Sequence, residues 1–286
     1  MKTLRILLII LTLSVSSIVS AQQVLDSISF QYEEATIYID AKIEGKNYRF
    51  IFDTGDPLTR VFPEVLEWKT TAQSKSPALE CIKQTEVQIG TYVQKVDIYH
   101  FGDTQTCSEE VAGVIGYNFM KDKIWMIDYR QKKIYRLDVP PPVNKALHVI
   151  PIFMIPGKGL WKELLAEIKI NGKPYVTKFN GRESRTFLKF DTGFGSKRGT
   201  TGLLLNRQFL IEKCGVPDSS YLIEVCGKQY QFLNPVNVDL TFVNNLTFSV
   251  ETTGENITQA LLGNAFFDRY KPVFDLKNNQ LILLSY

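Results

Sequence analysis

Ala41–Gly55 reads AKIEGKNYRFIFDTG, and a second segment further along the chain repeats its plan. From Ile168 the sequence runs IKINGKPYVTKF and, after an insertion, reaches FLKFDTG at Phe187–Gly193. Both passages go from an alternating strand through a glycine-containing turn into an apolar strand that ends in Asp-Thr-Gly. A single Asp-Thr-Gly is weak evidence, because Asp and Gly suit many tight turns. Recurrence at matching points of an internal repeat is far more specific. A turn alone requires neither the same threonine nor the same apolar lead-in.

Working outward, Gly113–Leu137 (GVIGYNFMKDKIWMIDYRQKKIYRL) aligns without a gap over 25 positions with Ala260–Leu284 (ALLGNAFFDRYKPVFDLKNNQLILL). Gly116 meets Gly263, Phe119 meets Phe266 and Asp128 meets Asp275. The offset is 147 here and 138 between the Asp-Thr-Gly sites, so the halves differ by insertions between the two blocks. Each half therefore carries one Asp-Thr-Gly and one downstream apolar-apolar-Gly, at Val114-Ile115-Gly116 and Leu261-Leu262-Gly263.

The alternation predicts strands at Thr36–Ile43, Tyr48–Phe52, Glu86–Ile89, Lys95–Tyr99, Lys123–Asp128 and Lys133–Leu137. In the second half it predicts them at Leu165–Ile170, Phe187–Phe190, Val236–Phe242, Leu246–Val250, Pro272–Asp275 and Gln280–Leu284. Short helices are expected at Tyr117–Lys121 and Asn264–Tyr270, and terminal hairpin turns at Arg130–Lys133 and Lys277–Gln280. Pro140-Pro141-Pro142 makes Val139–Lys145 a stiff spacer. The reading is thus mainly all-β, with one lobe at 24–138, a linker at 139–145 and a second lobe at 146–286.

Composition excludes several classes. The 286 residues are 44% hydrophobic and 12% aromatic with a net charge of +3, which argues against disorder and against a polyanionic partner such as nucleic acid. Two histidines, His100 and His148, leave little for a His-rich metal site. G-x-S-x-G, H-E-x-x-H and a strand-borne G-x-G-x-x-G are missing from the sequence. Met1–Ala21 opens with Lys2 and Arg5, continues through apolar Ile6–Leu13 and closes on Val19-Ser20-Ala21. That is the pattern of a cleaved signal peptide, too short in its apolar part to span a membrane well. Without Lys2 and Arg5 the formal charge falls to +1. In an oxidising compartment the four cysteines would form two disulfides. Of three possible pairings, Cys81–Cys107 with Cys214–Cys226 keeps each bridge within one half.

The duplicated Asp-Thr-Gly and apolar-apolar-Gly motifs resemble those of the pepsin/retropepsin aspartic peptidases, in particular bacterial secreted proteins with two retropepsin-like lobes in one chain. The resemblance spans nearly all of the chain after Ala21. It implies two homologous β-barrel-like lobes related by a pseudo-two-fold axis, with Asp53 and Asp191 facing one another as the catalytic pair. Thr54 and Thr192 would brace the loops, Gly55 and Gly193 would allow close backbone approach, and Gly116 and Gly263 would support the loops from behind. It further implies a monomer that takes a peptide or protein in the inter-lobe cleft, uses neither cofactor nor metal, and works in the periplasm or outside a bacterial cell. Two carboxylates could also serve a glycoside hydrolase, although that chemistry does not predict the duplicated motif. A third use of the same fold is peptide binding without turnover.

The sequence departs from the family pattern directly after each glycine, where Asp56 and Phe194 replace the Ser, Thr or Ala of many relatives. Asp56 can pair with Arg60; if it also lies near the two aspartates, its charge raises their apparent pKa and moves activity toward mildly acidic or neutral pH. Gly195–Gly202 is a basic insertion with Lys197 and Arg198 that lacks phosphate-loop spacing. Lys69–Gln84 and Cys214–Gln229 stand roughly where a flap would cover a substrate, without the family's Gly-rich tip.

Overall fold

The computed structural model describes residues 23–62, 66, 81–100, 111–156, 162–179, 182–194, 202–225, 228–234, 236–248, 250–253 and 260–286. The proposed signal peptide, Cys107, Cys226, residues 195–201 and most of Lys69–Gln84 lie outside them. Cys81 is an exposed thiol and Cys214 a half-buried one; both of their expected partners fall outside the described residues.

Each repeat starts with a hairpin turn. Glu44-Gly45 and Asn171-Gly172 both hold positive φ at both central positions, the two-residue turn that matches the twist of its flanking strands. In the first half it joins Thr36–Ile43 to Lys46–Phe52 in continuous antiparallel register. Thr36–Ile43 buries alternate residues, with Ile37, Ile39, Ala41 and Ile43 inside. In the second half the same segment is broken into shorter strands, Lys162–Ala166 and Lys169–Ile170. The insertion after Phe179 is a hairpin, with Val176–Phe179 paired to Arg182–Arg185.

Each half then threads a short strand beside the one that ends in Asp-Thr-Gly. Gly113–Ile115 lies parallel to Lys46–Phe52 and antiparallel to Thr59–Val61. Ala260–Leu262 does the same with Leu188–Phe190 and Leu203–Asn206. Phe52 meets Ile115 and Phe190 meets Leu262, so the pairing registers of the two halves are equivalent. The first lobe closes into a seven-stranded sheet that pairs Thr36–Ile43 again with Cys81–Ile89, and the second spreads over eight- and four-stranded sheets.

A six-stranded sheet joins the halves: Val24–Ser29, Lys133–Leu137, Ile124–Asp128, Lys271–Asp275, Gln280–Leu284 and Ala146–Pro151, in that order. At its centre Met126 pairs with Val273. These two are also each other's counterparts in the repeat, so the pseudo-two-fold axis passes between them. Its effect recurs outward: Ile124 faces Asp275, while the related pair Asp128 and Lys271 forms an ion pair at 3.1 Å. Both outer strands carry a bulge near their start, at Val24/Asp26 and at Ala146/His148. The matched Asp128 and Asp275 accept the backbone N–H of Gln131 (2.9 Å) and Asn278 (3.1 Å), so the repeat keeps them to close the terminal turns.

One face of this sheet packs into the main core, where Trp125 is fully buried against Phe52 and donates its indole N–H to the Met120 carbonyl. The helices after the apolar-apolar-Gly motifs are single turns, Tyr117–Met120 and Asn264–Phe267, shorter than expected in the second half. Residues Phe209–Lys213 add a wide helical turn that the sequence pattern did not announce.

Candidate active site

The strands Lys46–Phe52 and Leu188–Phe190 deliver the two Asp-Thr-Gly loops to the junction between the lobes. The downstream strand locks each loop at its first residue: Asp53 N–H donates to Ile115 O and Asp191 N–H to Leu262 O, both at 3.0 Å. The threonines then bind across the junction. Thr54 N–H donates to Thr192 Oγ1 (2.9 Å), and Thr192 N–H to Thr54 Oγ1 (3.1 Å). Each hydroxyl in turn donates to the opposite strand, Thr54 to Phe190 O (3.0 Å) and Thr192 to Phe52 O (2.7 Å). Both side chains are buried, and both N–H groups and both hydroxyls of the pair are used. Each bond contributes about 1 kcal/mol net, while an unpaired buried group left behind costs more.

The glycines set the separation of the acids. A methyl group on Gly55 would lie 2.2 Å from Asp191 Cγ, and one on Gly193 would lie 2.3 Å from Asp53 Cγ. No side chain fits there, so each loop backbone lies directly against the opposite carboxyl. Asp53 Oδ1 accepts N–H groups from Gly55 (2.7 Å), Asp56 (3.1 Å) and, across the junction, Gly193 (3.2 Å). Asp191 Oδ1 accepts the Phe194 N–H at 2.7 Å.

Behind the loops, Gly116 and Gly263 face backbone. A methyl on Gly116 would sit 2.1 Å from Leu58 O, and one on Gly263 would sit 2.1 Å from Phe194 O. Thus all eight residues expected at the site, the pair of aspartates with Thr54, Gly55, Thr192, Gly193, Gly116 and Gly263, come together.

Beside Asp53 lies a third carboxylate. Asp56 accepts Arg60 Nε at 2.9 Å and the Leu58 N–H at 2.9 Å. The Arg60 side chain is 7% exposed and also reaches His100 O at 3.3 Å. Asp56 is therefore both paired with Arg60 and close to Asp53. Burial, then the Asp191 charge, then the Asp56 charge hold the Asp53 carboxyl well above the usual carboxylate range; the hydrogen bond shared with Asp191 adds to this, and Lys189 works the other way. Burial also raises Asp56, against the pull of Arg60 and the Leu58 N–H. At the matching place in the second loop Phe194 is half-buried, its ring beside Gly263.

Two participants escaped the sequence reading. Lys189 stands where the first half has Ile51, and its charge acts on both Asp53 and Asp56. The break it makes in an apolar lead-in was the available signal. Asn264, fully buried, bonds to the second loop from the side; its signal was the mismatch with Tyr117 in an otherwise matching block.

No family model matches the chain and no curated protein matches its sequence. Solved structures do. An aspartic proteinase from Irpex lacteus superposes with a TM-score of 0.53 at 11% identity, over 91% of this chain and 96% of that one. The fold is that of the pepsin-like aspartic proteinases. A second structure with this fold, that of a protein named EDGP, gives a TM-score of 0.51 at 10% identity over 91% and 94% of the two chains. At such identities the likeness concerns the backbone, and the pepsin-like frame is what it establishes. Among the described residues no helix is long and apolar enough to cross a membrane.

Proposed function

We propose that this pepsin-like chain is an exported aspartic endopeptidase, with Asp53 and Asp191 as its catalytic pair. The observation that supports it most is the reciprocal bonding of Thr54 and Thr192, which places the two acids against each other's loops. A cleft that only bound peptides would have no use for a matched pair of acids held this way.

Two carboxyls so close cannot both ionise readily, so the pair keeps one proton. The ionised member takes a proton from a bound water, whose oxygen attacks the peptide carbonyl carbon. The protonated member gives its proton to the carbonyl oxygen, forming a tetrahedral diol. Collapse of the diol breaks the C–N bond as the aspartic acid that gained the water proton gives it to the leaving amine. The other aspartate takes back a proton from a diol hydroxyl, which restores the singly protonated pair. The peptide lies in the cleft between lobes 24–138 and 146–286, joined by the linker 139–145. We place the mature protein, after removal of Met1–Ala21, in the periplasm or outside a bacterial cell, as a monomer that needs no cofactor.

A second reading, a peptide-binding protein without turnover, draws on one observation. Asp56 is tied to Arg60 rather than to the pair, and its charge adds to burial and the Asp191 charge in raising the Asp53 pKa. The deciding experiment incubates Gln22–Tyr286 with a diverse peptide mixture from acid to neutral pH and reads new termini by mass spectrometry. Cuts by the wild type, reduced about 10³-fold or more in folded Asp53→Asn and Asp191→Asn, support the peptidase. A folded wild type that makes none at any pH leaves the binding protein.

A further inference from the structure

The two apolar-apolar-Gly motifs match, yet the residue that follows each does not: Tyr117 in the first half, Asn264 in the second. Asn264 has no solvent exposure. Its Nδ2 donates to Thr192 O at 2.5 Å and to Ala35 O at 2.8 Å, and its Oδ1 accepts the Tyr129 hydroxyl at 2.5 Å. Thr192 belongs to the second Asp-Thr-Gly loop, whereas Ala35 and Tyr129 belong to the first lobe. A single amide therefore connects the loop that carries Asp191 to two separate elements of the opposite lobe.

The chemistry of the three partners dictates the residue. Two carbonyl oxygens need two donors, and the hydroxyl needs an acceptor. Of the side chains of this size only an asparagine amide supplies that set without a charge. An aspartic acid would supply one donor when protonated and none when ionised. The Ala35 end is itself unusual: Glu34 and Ala35 both hold positive φ, at 48° and 57°, in the turn between Gln31–Glu33 and Thr36–Ile43. Non-glycine residues adopt that conformation at a cost, and it persists where surrounding contacts hold it.

We propose that Asn264 is a positioning residue that sets the Asp191 loop from the first lobe, using its two amide donors as a clamp on Thr192 O and Ala35 O. The inference rests on the peptidase reading for its effect on rate. The asymmetry matters, because Tyr117, at the matching place in the first half, has no amide to offer. The fixed orientation of the amide follows from Tyr129, whose buried phenol is pushed far above its ordinary range and stays a donor. The other titratable groups around the clamp are Tyr32, Tyr286 and Asp268, with Asp191 one residue from Thr192. Burial raises both tyrosines, and Asp268 accepts the Tyr32 hydroxyl at 3.0 Å.

The test compares Asn264→Asp, Asn264→Ala and Tyr129→Phe in the full mature chain. Asn264→Ala should lower kcat about tenfold or more with KM little changed, at every pH, as expected for lost hydrogen bonds that act through loop geometry. Asn264→Asp should retain part of kcat in acid, where the new carboxyl can donate one bond, and lose it as pH rises and that carboxyl ionises against two carbonyls. Tyr129→Phe should show a smaller fall in kcat with no new pH dependence. Hydrogen exchange supplies a readout independent of activity: in Asn264→Ala the amides of 188–194 should exchange faster, and by a larger factor than those of 50–56, which feel the change only through the Thr54–Thr192 bonds. Variants with wild-type kcat, an unchanged pH profile and unchanged exchange at 188–194 overturn the proposal. Faster exchange spread equally over both loops overturns it too, since that marks general loosening. If the wild type cuts no peptide, the peptidase reading falls by itself, and the exchange pattern still decides the clamp.

Discussion

The two Asp-Thr-Gly loops are alike through their glycines and part company at the next residue. Up to that point each threonine bonds to the other, each glycine lies against the opposite carboxyl, and each aspartate N–H is held by its own half's downstream strand. Then the first loop continues into Asp56, a charge held by Arg60, and the second into Phe194, a ring against Gly263. Geometry is therefore shared between the halves, while the residue after the glycine places a charge in one loop only. The shared part cannot vary without separating the acids. The part that differs lies one residue outward, where it can alter proton affinity without moving anything that the two-fold arrangement requires.

That division can be tested from its strongest consequence downward. Gly55→Ala and Gly193→Ala should be equally damaging, each lowering kcat/KM by about 10³-fold, because either methyl forces a loop away from the opposite acid and misplacement of this size costs orders of magnitude. Unequal losses in steady-state assays would show that the loops do not share the approach evenly. Asp56→Asn should cost about 3 kcal/mol in denaturant unfolding, since it leaves a buried guanidinium without its anion. It should also move the limb of the pH–rate profile that reports the pair toward acid, because losing an anion favours ionised Asp53. Phe194→Ala should leave that limb in place; an equal shift from both changes would remove the electrostatic contrast.

Thr54→Val and Thr192→Val should each lose about 2 kcal/mol of stability, from hydrogen bonds removed and partners left buried. Their double mutant should fall short of the sum, as expected for one coupled network. The smallest effect concerns stability against pH. Asp53 has a folded pKa above its unfolded value, so the native state holds the proton longer. Its contribution to stability is complete below about pH 4, the unfolded carboxylate range, and is lost as pH rises through the folded pKa. Asp53→Asn should therefore gain on the wild type in thermal melts as pH rises from 4 toward 7, and a constant difference would contradict the raised pKa.

The repeat made the pair of acids, the threonines and the supporting glycines legible in the sequence, because matched positions in two halves point to shared duties. Long alternating strands such as Thr36–Ile43 could be read to the residue. Thr59–Val61 and Gly113–Ile115 could not: each is three residues long and buried throughout, so neither displays a period. The outer strands Val24–Ser29 and Ala146–Pro151 were hidden for another reason, since their bulges interrupt the alternation. Leu165–Ile170 reads as one strand, whereas the chain pairs with different sheets on either side of Glu167-Ile168. Asn264 and Lys189 were obscure because a repeat draws the eye to what matches, and both are mismatches.

The Met126–Val273 pair astride the axis has a consequence for how such a protein can change. In an assembly of two identical chains any substitution near the axis lands twice, facing itself, so an acid introduced beside one aspartate would also appear beside the other. Here the two sides of the axis are separate stretches of one gene. Asp56 and Phe194 could arise singly, and a change that would be intolerable in duplicate becomes an adjustment to one hand of a pair.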